Sequence, residues 1–312
     1  METFITTDPV KAAEFIRQGR LTAFPTETVY GLGANAFDDD AVLRIFAAKG
    51  RPADNPLIVH VVSLEQINEI VAELSDHARL FIERFFPGPL TVVAVSSGKV
   101  ARAATAGLDT VAFRMPAGRI AQELIKAAGV PLVAPSANVS GKPSPTTWQA
   151  VLEDMDGKID CLLQGEPTEI GLESTVVDCT GDVPILLRAG AVSLDELRTV
   201  VPETLDGTGM LSSAPRSPGM KHRHYSPAAA VRFYKDNKSV EAGRRSAFIG
   251  LERPEDNFEK LMIAGSMEEY ARELFEFFRE CDRIGIDVIY CQPVSTDGIG
   301  AALMDRIKRA AE

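Results

Sequence analysis

None of the four cysteines, Cys161, Cys179, Cys281 and Cys291, forms a CxxC pair, so neither a disulfide framework nor a zinc site is indicated. No segment approaches the roughly 18 apolar residues that a membrane helix needs, and no membrane association is expected. The first ten residues, METFITTDPV, lack a basic stretch followed by an apolar one, so no signal peptide is expected and the cytoplasm is the simplest location. Positive charge is in deficit: 33 Lys and Arg stand against 44 Asp and Glu, a net charge of −11. An acidic chain suits broad phosphate-backbone contact poorly. The standard phosphate cradles are missing too. Neither SSGK at 96–99 nor VSGK at 139–142 has a glycine five positions before the one in GK, so there is no P-loop. No Ser-His-Asp or Cys-His arrangement follows from spacing.

What is present is an ordinary globular balance, 45% hydrophobic and 25% charged, over 312 residues, about right for two domains. Residues 1–206 read as one α/β domain. Helices are expected over 9–20, at DDDAVLRIFAAKG, at SDHARLFIERFFPGP, near 118–128 and at TTWQAVLEDM; strands at LTAFPT, PLIVHVV, LTVVAV, TVAFRM, VPLVA, CLLQ, STVVDC and PILLRA. Strands and helices do not alternate strictly, which predicts a twisted mixed sheet and no doubly wound order. Residues 207–227 have linker composition, and Arg216, Lys221 and Arg223 make this stretch basic. Residues 228–312 read as a smaller parallel, Rossmann-like unit without a G-x-G-x-x-G after its first strand, so dinucleotide binding is not supported.

The candidate chemistry lies in cations and hydroxyls. Lys49, Arg51 and Asn55 fall in KGRPADNPL between a helix end and a strand, although a cation there also answers the helix dipole. Ser136, Asn138, Ser140, Lys142, Ser144 and Thr146 sit in a loop after a buried strand, where open α/β sheets place ligands. Arg114 and Arg188 stand inside apolar strands, where an unpaired charge is costly; each must pair with an acid or face a cleft. His60, a lone histidine in the strand LIVHVV, reads by default as a satisfied core histidine.

Four stretches, PTETVYGLG, AKGRPADNPL, PLVAPSAN and LESTVVD, occur in the order found in the YrdC/Sua5 family of threonylcarbamoyl-AMP synthases, which the chain resembles over almost its whole length. SPGMKHRHYSP resembles the segment joining the two domains of the longer, Sua5-type members. The resemblance implies a YrdC-like catalytic domain (1–206), a linker acting as a lid over the site (207–227) and a Sua5-type C-terminal domain (228–312). It implies a nucleotidyltransferase that converts L-threonine, bicarbonate and ATP to L-threonylcarbamoyladenylate and pyrophosphate, for threonylcarbamoyl modification of tRNA adenosine by other proteins. Carried over by that likeness, Lys49, Arg51, Ser136 and Asn138 are catalytic. Arg51, Asn55, Thr110, Ser136, Ser144, Arg188 and Tyr225 contact ATP, as does Lys49. Thr28, His60, Arg114 and Ser174 contact threonine. Mg²⁺ is expected with ATP, without a dedicated protein cage. Direct tRNA contact is expected to be weak. Gly31 and Gly33 are expected to let the backbone turn closely beside Thr28. Two competing classes are an RNA-binding factor, disfavoured by the acidic composition, and a carbamoyl-transfer maturation enzyme, which would bring Cys-rich zinc motifs that this sequence lacks.

Overall fold

Short polar side chains begin most helices of this chain. In a computed structural model, which describes residues 2–208, 225–235, 240–241 and 243–312, Asp8 caps α1 (Pro9–Arg17) and Asp38 caps α2 (Asp39–Lys49), each accepting a backbone N–H of the first turn. Gly50, at φ 60°, closes α2 in the left-handed conformation that glycine reaches without strain. Ser63, Ser75 and Thr147 cap α3 (Leu64–Ile70), α4 (Asp76–Phe85) and α6 (Trp148–Met155) in the same way. Helix α5 (Arg119–Ala128) ends at Gly129. Helix α7 (Leu194–Val200) opens with a reciprocal capping box between Ser193 and Glu196.

The strands of the first domain join into one sheet. In chain order they are β1 (Phe4–Thr6), β2 (Thr22–Phe24), β3 (Gly31–Asn35), β4 (Ile58–His60), β5 (Val71–Glu73), β6 (Leu90–Ser96), β7 (Thr110–Arg114), β8 (Leu132–Val133), β9 (Cys161–Leu163), β10 (Thr175–Asp178), β11 (Ile185–Arg188) and β12 (Leu205–Asp206). Their spatial order is β1-β9-β2-β3-β8-β4-β7-β6-β10-β11-β12, with β5 on β6. Parallel and antiparallel pairs mix along it, as expected from the lack of strict alternation. Two apolar layers cover the sheet, one built on α2, α4 and β6, the other on α1 and α5.

Strand β3 corrects one expectation. Gly31 and Gly33 make no turn; they lie within the strand. A Cβ at Gly33 would come within 2.9 Å of the Phe24 ring, and one at Gly31 within 3.2 Å of the Ala134 methyl. These glycines serve close packing against a buried aromatic ring.

The second domain has strands β13 (Ala230–Phe233), β14 (Ser246–Gly250), β15 (Lys260–Ile263) and β16 (Val288–Cys291), all parallel, in the order β13-β16-β14-β15. Helices α8 (Met267–Arg283) and α9 (Gly300–Ala311) pack on it through Tyr270, Leu274, Phe278, Leu303 and Ile307. Of the linker, only residues 207–208 and 225–227 are described; Arg216, Lys221, His222, Arg223 and His224, and with them most of the expected lid, lie outside the described residues.

Candidate active site

Strands β3, β4, β7 and β11, the loop that follows β8 and the residues just before β10 surround an open cleft. Its walls carry Thr28, Arg51, His60, Arg114, Ser136, Asn138, Ser144, Ser174, Arg188 and Tyr225, ten of the sequence-predicted residues, together with Thr26, Lys142 and Glu173. Residues separated by up to 199 positions in the chain meet there because the parallel pairs β4–β7 and β6–β10 align strand ends on one side of the sheet.

One end of the cleft is organised by Arg114, which lies level with His60 across the β4–β7 pair. Its Nε donates to the Gly88 carbonyl at 3.1 Å and a terminal nitrogen to Thr28 Oγ1 at 2.8 Å. The other terminal nitrogen meets Glu27 Oε1 at 2.5 Å, both side chains being buried. Burial alone would raise the Glu27 carboxyl, but the Arg114 charge holds it below the ordinary carboxylate value. A guanidinium has five N–H groups, so both terminal nitrogens keep a donor beyond these partners. Thr26 Oγ1 sits 2.8 Å from Thr28 Oγ1 and fixes that hydroxyl. The choice left open by the sequence is therefore settled as both: Arg114 pairs with a buried carboxylate and also faces the cleft.

His60 is buried, with its ring edge-on to Phe24, and its Nδ1 has no hydrogen-bond partner. Burial, and then the neighbouring Arg114 charge, push its pKa down to about 3, so the ring is neutral. The sign follows. In the folded chain His60 takes a proton only near pH 3, whereas an unfolded histidine takes one near 6.5, so stability falls as pH drops through that window. Above pH 5 the carboxylates with depressed pKa values contribute nothing to this loss. Unfolding free energy is expected to drop by about 1.5 kcal/mol between pH 7 and pH 5.5, the smaller part coming from Lys49, and His60→Gln to remove most of that drop in urea titrations; an unchanged slope in the variant would refute the assignment.

The other end gathers Arg51, Lys142, Ser144, Arg188 and Tyr225. Arg188 holds the Ser174 carbonyl with Nε and a terminal nitrogen, at 3.0 and 2.8 Å, and the Ser174 hydroxyl at 3.1 Å. Arg51 is buried, donates to the Asn55 carbonyl at 3.3 Å, and leaves Nε unpartnered. Burial lowers its pKa; Asp54 opposes that shift and Arg188 adds to it. Glu173 lines this end but accepts from Ser144 Oγ at 2.5 Å and from Arg306 at 2.8 Å. Burial would raise its carboxyl; Arg306 and Arg188 bring it below the usual value. Fixed guanidinium groups and hydroxyls, with Glu173 already engaged, are a chemistry suited to anionic oxygens.

Three predicted residues do not line the cleft. Lys49 is buried behind the loop after β8, where its ammonium donates to the carbonyls of Ser136 at 2.5 Å and Asn138 at 2.7 Å. Burial and the Arg51 charge push its pKa down to about 7. Its place is beneath the loop that carries Ser136 and Asn138, which it supports from outside the cleft lining. Asn55 is fully buried. Thr110 begins β7, four residues and therefore about 13 Å along the strand from Arg114. Asn138 reaches the cleft, yet its Nδ2 donates to the Val139 and Lys142 carbonyls and braces its own loop. Sequence reasoning missed Thr26, Glu27 and Glu173, although both carboxylates lie inside the motifs PTETVYGLG and LESTVVD. Among the described residues, no group of three or more His, Cys, Asp or Glu side chains could hold a metal ion, and no helix is long and apolar enough to cross a membrane.

Residues 14–190 match the Sua5/YciO/YrdC family model, described as "Telomere recombination". Residues 192–312 match the model described as "Threonylcarbamoyl-AMP synthase, C-terminal domain". A threonylcarbamoyl-AMP synthase of Pyrococcus abyssi is 46% identical, with 96% of this chain and 93% of that protein aligned. Its Bacillus subtilis counterpart is 38% identical over 98% and 94%. The crystal structure of P. abyssi Sua5 complexed with L-threonine superposes with a TM-score of 0.93 at 44% identity, covering 100% of this chain and 98% of that one. Escherichia coli YciO shares the fold alone, at a TM-score of 0.55 and 22% identity over 63% of this chain.

Proposed function

The chain belongs to the YrdC/Sua5 family of threonylcarbamoyl-AMP synthases, and on that premise we propose that it joins L-threonine, bicarbonate and ATP into L-threonylcarbamoyladenylate, releasing pyrophosphate. The observation that carries this reading is the convergence of Arg51, Arg114 and Arg188 with Ser136, Ser144 and Tyr225 on one cleft. The threonine amine attacks bicarbonate and water leaves, giving a carbamate. A carbamate oxygen then attacks the α-phosphorus of ATP, and the bond to the bridging oxygen breaks as pyrophosphate departs. No protein nucleophile is needed; the work is alignment and stabilisation of anionic oxygens.

The end around Arg114 receives the amino acid: the spare N–H groups of the guanidinium face its carboxylate, and neutral His60 offers a ring nitrogen to its amine or hydroxyl. Thr28 and Ser174 supply hydroxyls. The complex of P. abyssi Sua5 with L-threonine supports this half of the reading. Arg51, Ser136, Ser144, Arg188 and Tyr225 face the nucleotide. Contacts at Asn55 and Thr110 require ATP to extend beyond the cleft lining. Mg²⁺ would be held chiefly by the triphosphate, because among the described residues the carboxylate lining the cleft is Glu173, already engaged by Ser144 and Arg306. Other proteins transfer the threonylcarbamoyl group to the tRNA adenosine beside the anticodon, and the acidic chain itself binds tRNA weakly. The four free, buried thiols fit a reducing cytoplasm.

Pyrophosphate release from ATP is expected only when threonine and bicarbonate are both present, at least a hundredfold above either alone, by a coupled phosphate assay. Equal turnover with threonine omitted would overturn the reading.

A further inference from the structure

Two arginines of the C-terminal domain bond residues of the first domain that line the cleft or lie next to its lining. Arg306, on α9 of the C-terminal domain, is fully buried, at 0% exposure. It lies four residues after Ala302 and four before Ala310, on the buried stripe of the helix. Its Nε donates to Glu173 Oε2 at 2.8 Å, and one terminal nitrogen donates to the Ala189 carbonyl, next to Arg188, at 3.1 Å. Its guanidinium carbon lies 5.3 Å from the centre of the Tyr225 ring, which is stacked at 5.3 Å on Phe275 of α8. Tyr225 is thus clamped between both helices of that domain, at a backbone φ of 66°.

Arg279 of α8 forms a second arm. It donates to the Pro143 carbonyl at 2.6 Å and to Asp154 at 2.9 Å, and Asp154 accepts from Lys142 at 2.8 Å. Between these arms, the Ser226 N–H donates to the Gly141 carbonyl at 2.9 Å. Four consecutive residues, Gly141 to Ser144, are therefore tied to the C-terminal half: through the Gly141 carbonyl, Lys142 via Asp154, the Pro143 carbonyl, and Ser144 via Glu173. Lys142 and Ser144 line the cleft.

We propose that Arg306 and Arg279 are positioning residues through which the C-terminal domain fixes the nucleotide end of the cleft. The inference rests on the proposed reaction and adds to it a role for the second domain. Arg306 acts on Ser144 through Glu173, on Arg188 through the neighbouring carbonyl, and on Tyr225 through its ring. Neither arginine hydrogen-bonds Thr28, His60, Arg114 or Ser174; Ser174, held by Arg188, is the threonine contact nearest their reach. Their loss should therefore separate the two substrates.

The test uses the full chain with Arg306→Lys and Arg306→Met, measuring KM for ATP and for threonine by pyrophosphate release, the threonine Kd by calorimetry, and the melting temperature. Lysine can still pair with Glu173 as a point charge, but it lacks the planar fork that reaches Ala189 and covers Tyr225. Arg306→Lys is expected to raise KM for ATP at least fivefold, and Arg306→Met at least twentyfold, with the threonine Kd within twofold of the parent. Should Arg306→Met fail to fold, Arg306→Lys decides alone. A wild-type KM for ATP in Arg306→Lys, or equal changes for both substrates, overturns the proposal. A parent protein that releases no pyrophosphate would instead reject the reaction, a result distinguishable from both.

Discussion

Arg114→Met is expected to lower kcat/KM for threonine by about a thousandfold and to destabilise the protein by about 3–5 kcal/mol. Both effects come from one guanidinium. It faces the proposed amino acid site, and it also compensates Glu27, whose carboxylate is buried with it at 2.5 Å. Removing the cation leaves an acid with little water around it. A second substitution separates the two roles: in Glu27→Met/Arg114→Met the orphaned charge is gone, so the melting temperature should return to within a few degrees of the parent while threonine turnover stays lost. Recovery of activity in the double variant would show that Arg114 serves the fold alone.

Arg51→Met should behave in the opposite way towards stability. No carboxylate makes a salt bridge with Arg51 among the described residues, its Nε has no partner, and Arg188 repels it, with Asp54 the attractive charge nearby. A buried cation held in this manner costs the fold free energy, and on the proposed function it is kept for the triphosphate. The variant is expected to melt higher, with a gain of about 1 kcal/mol, while kcat falls about 10²–10³-fold, the usual loss when one donor to a developing anionic oxygen is removed. Arg51→Lys should not restore the rate, because a point charge does not reproduce the fork. Calorimetric melting beside single-turnover kinetics reads both. A variant that is both less stable and fully active would contradict the role.

Of the cationic and hydroxylic residues, Ser136 was legible because it stands in an irregular stretch that follows an apolar strand, and Arg188 because it is a charge inside one, where it must find a partner. Their acidic partners were not. Glu27 meets a residue 87 positions away and Glu173 one 133 positions away, and an ion pair made by the tertiary fold leaves no periodicity in the chain. Lys49 was legible as a helix-end cation, but whether its ammonium faces ligand or loop depends on how the loop after β8 lies over it, which local pattern does not encode. Strand β3 was read as a turn because glycine cues turns, and only the position of the Phe24 ring makes a glycine strand necessary. Arg279 and Arg306 had a usable signal: each falls on the apolar stripe of its helix, where a charge must find a partner. The short helix α7 had one too, in its capping box.

The placement of β9 between β1 and β2 has a consequence for synthesis. Phe4 pairs with Cys161, as does Thr22, and among the described residues β1 has no other neighbour in the sheet. At about 5–20 residues per second, the ribosome needs roughly ten seconds or more to deliver the strand that β1 awaits. Through that interval the nascent amino-terminal strand, with Phe4 and Ile5, stays open to whatever meets it first.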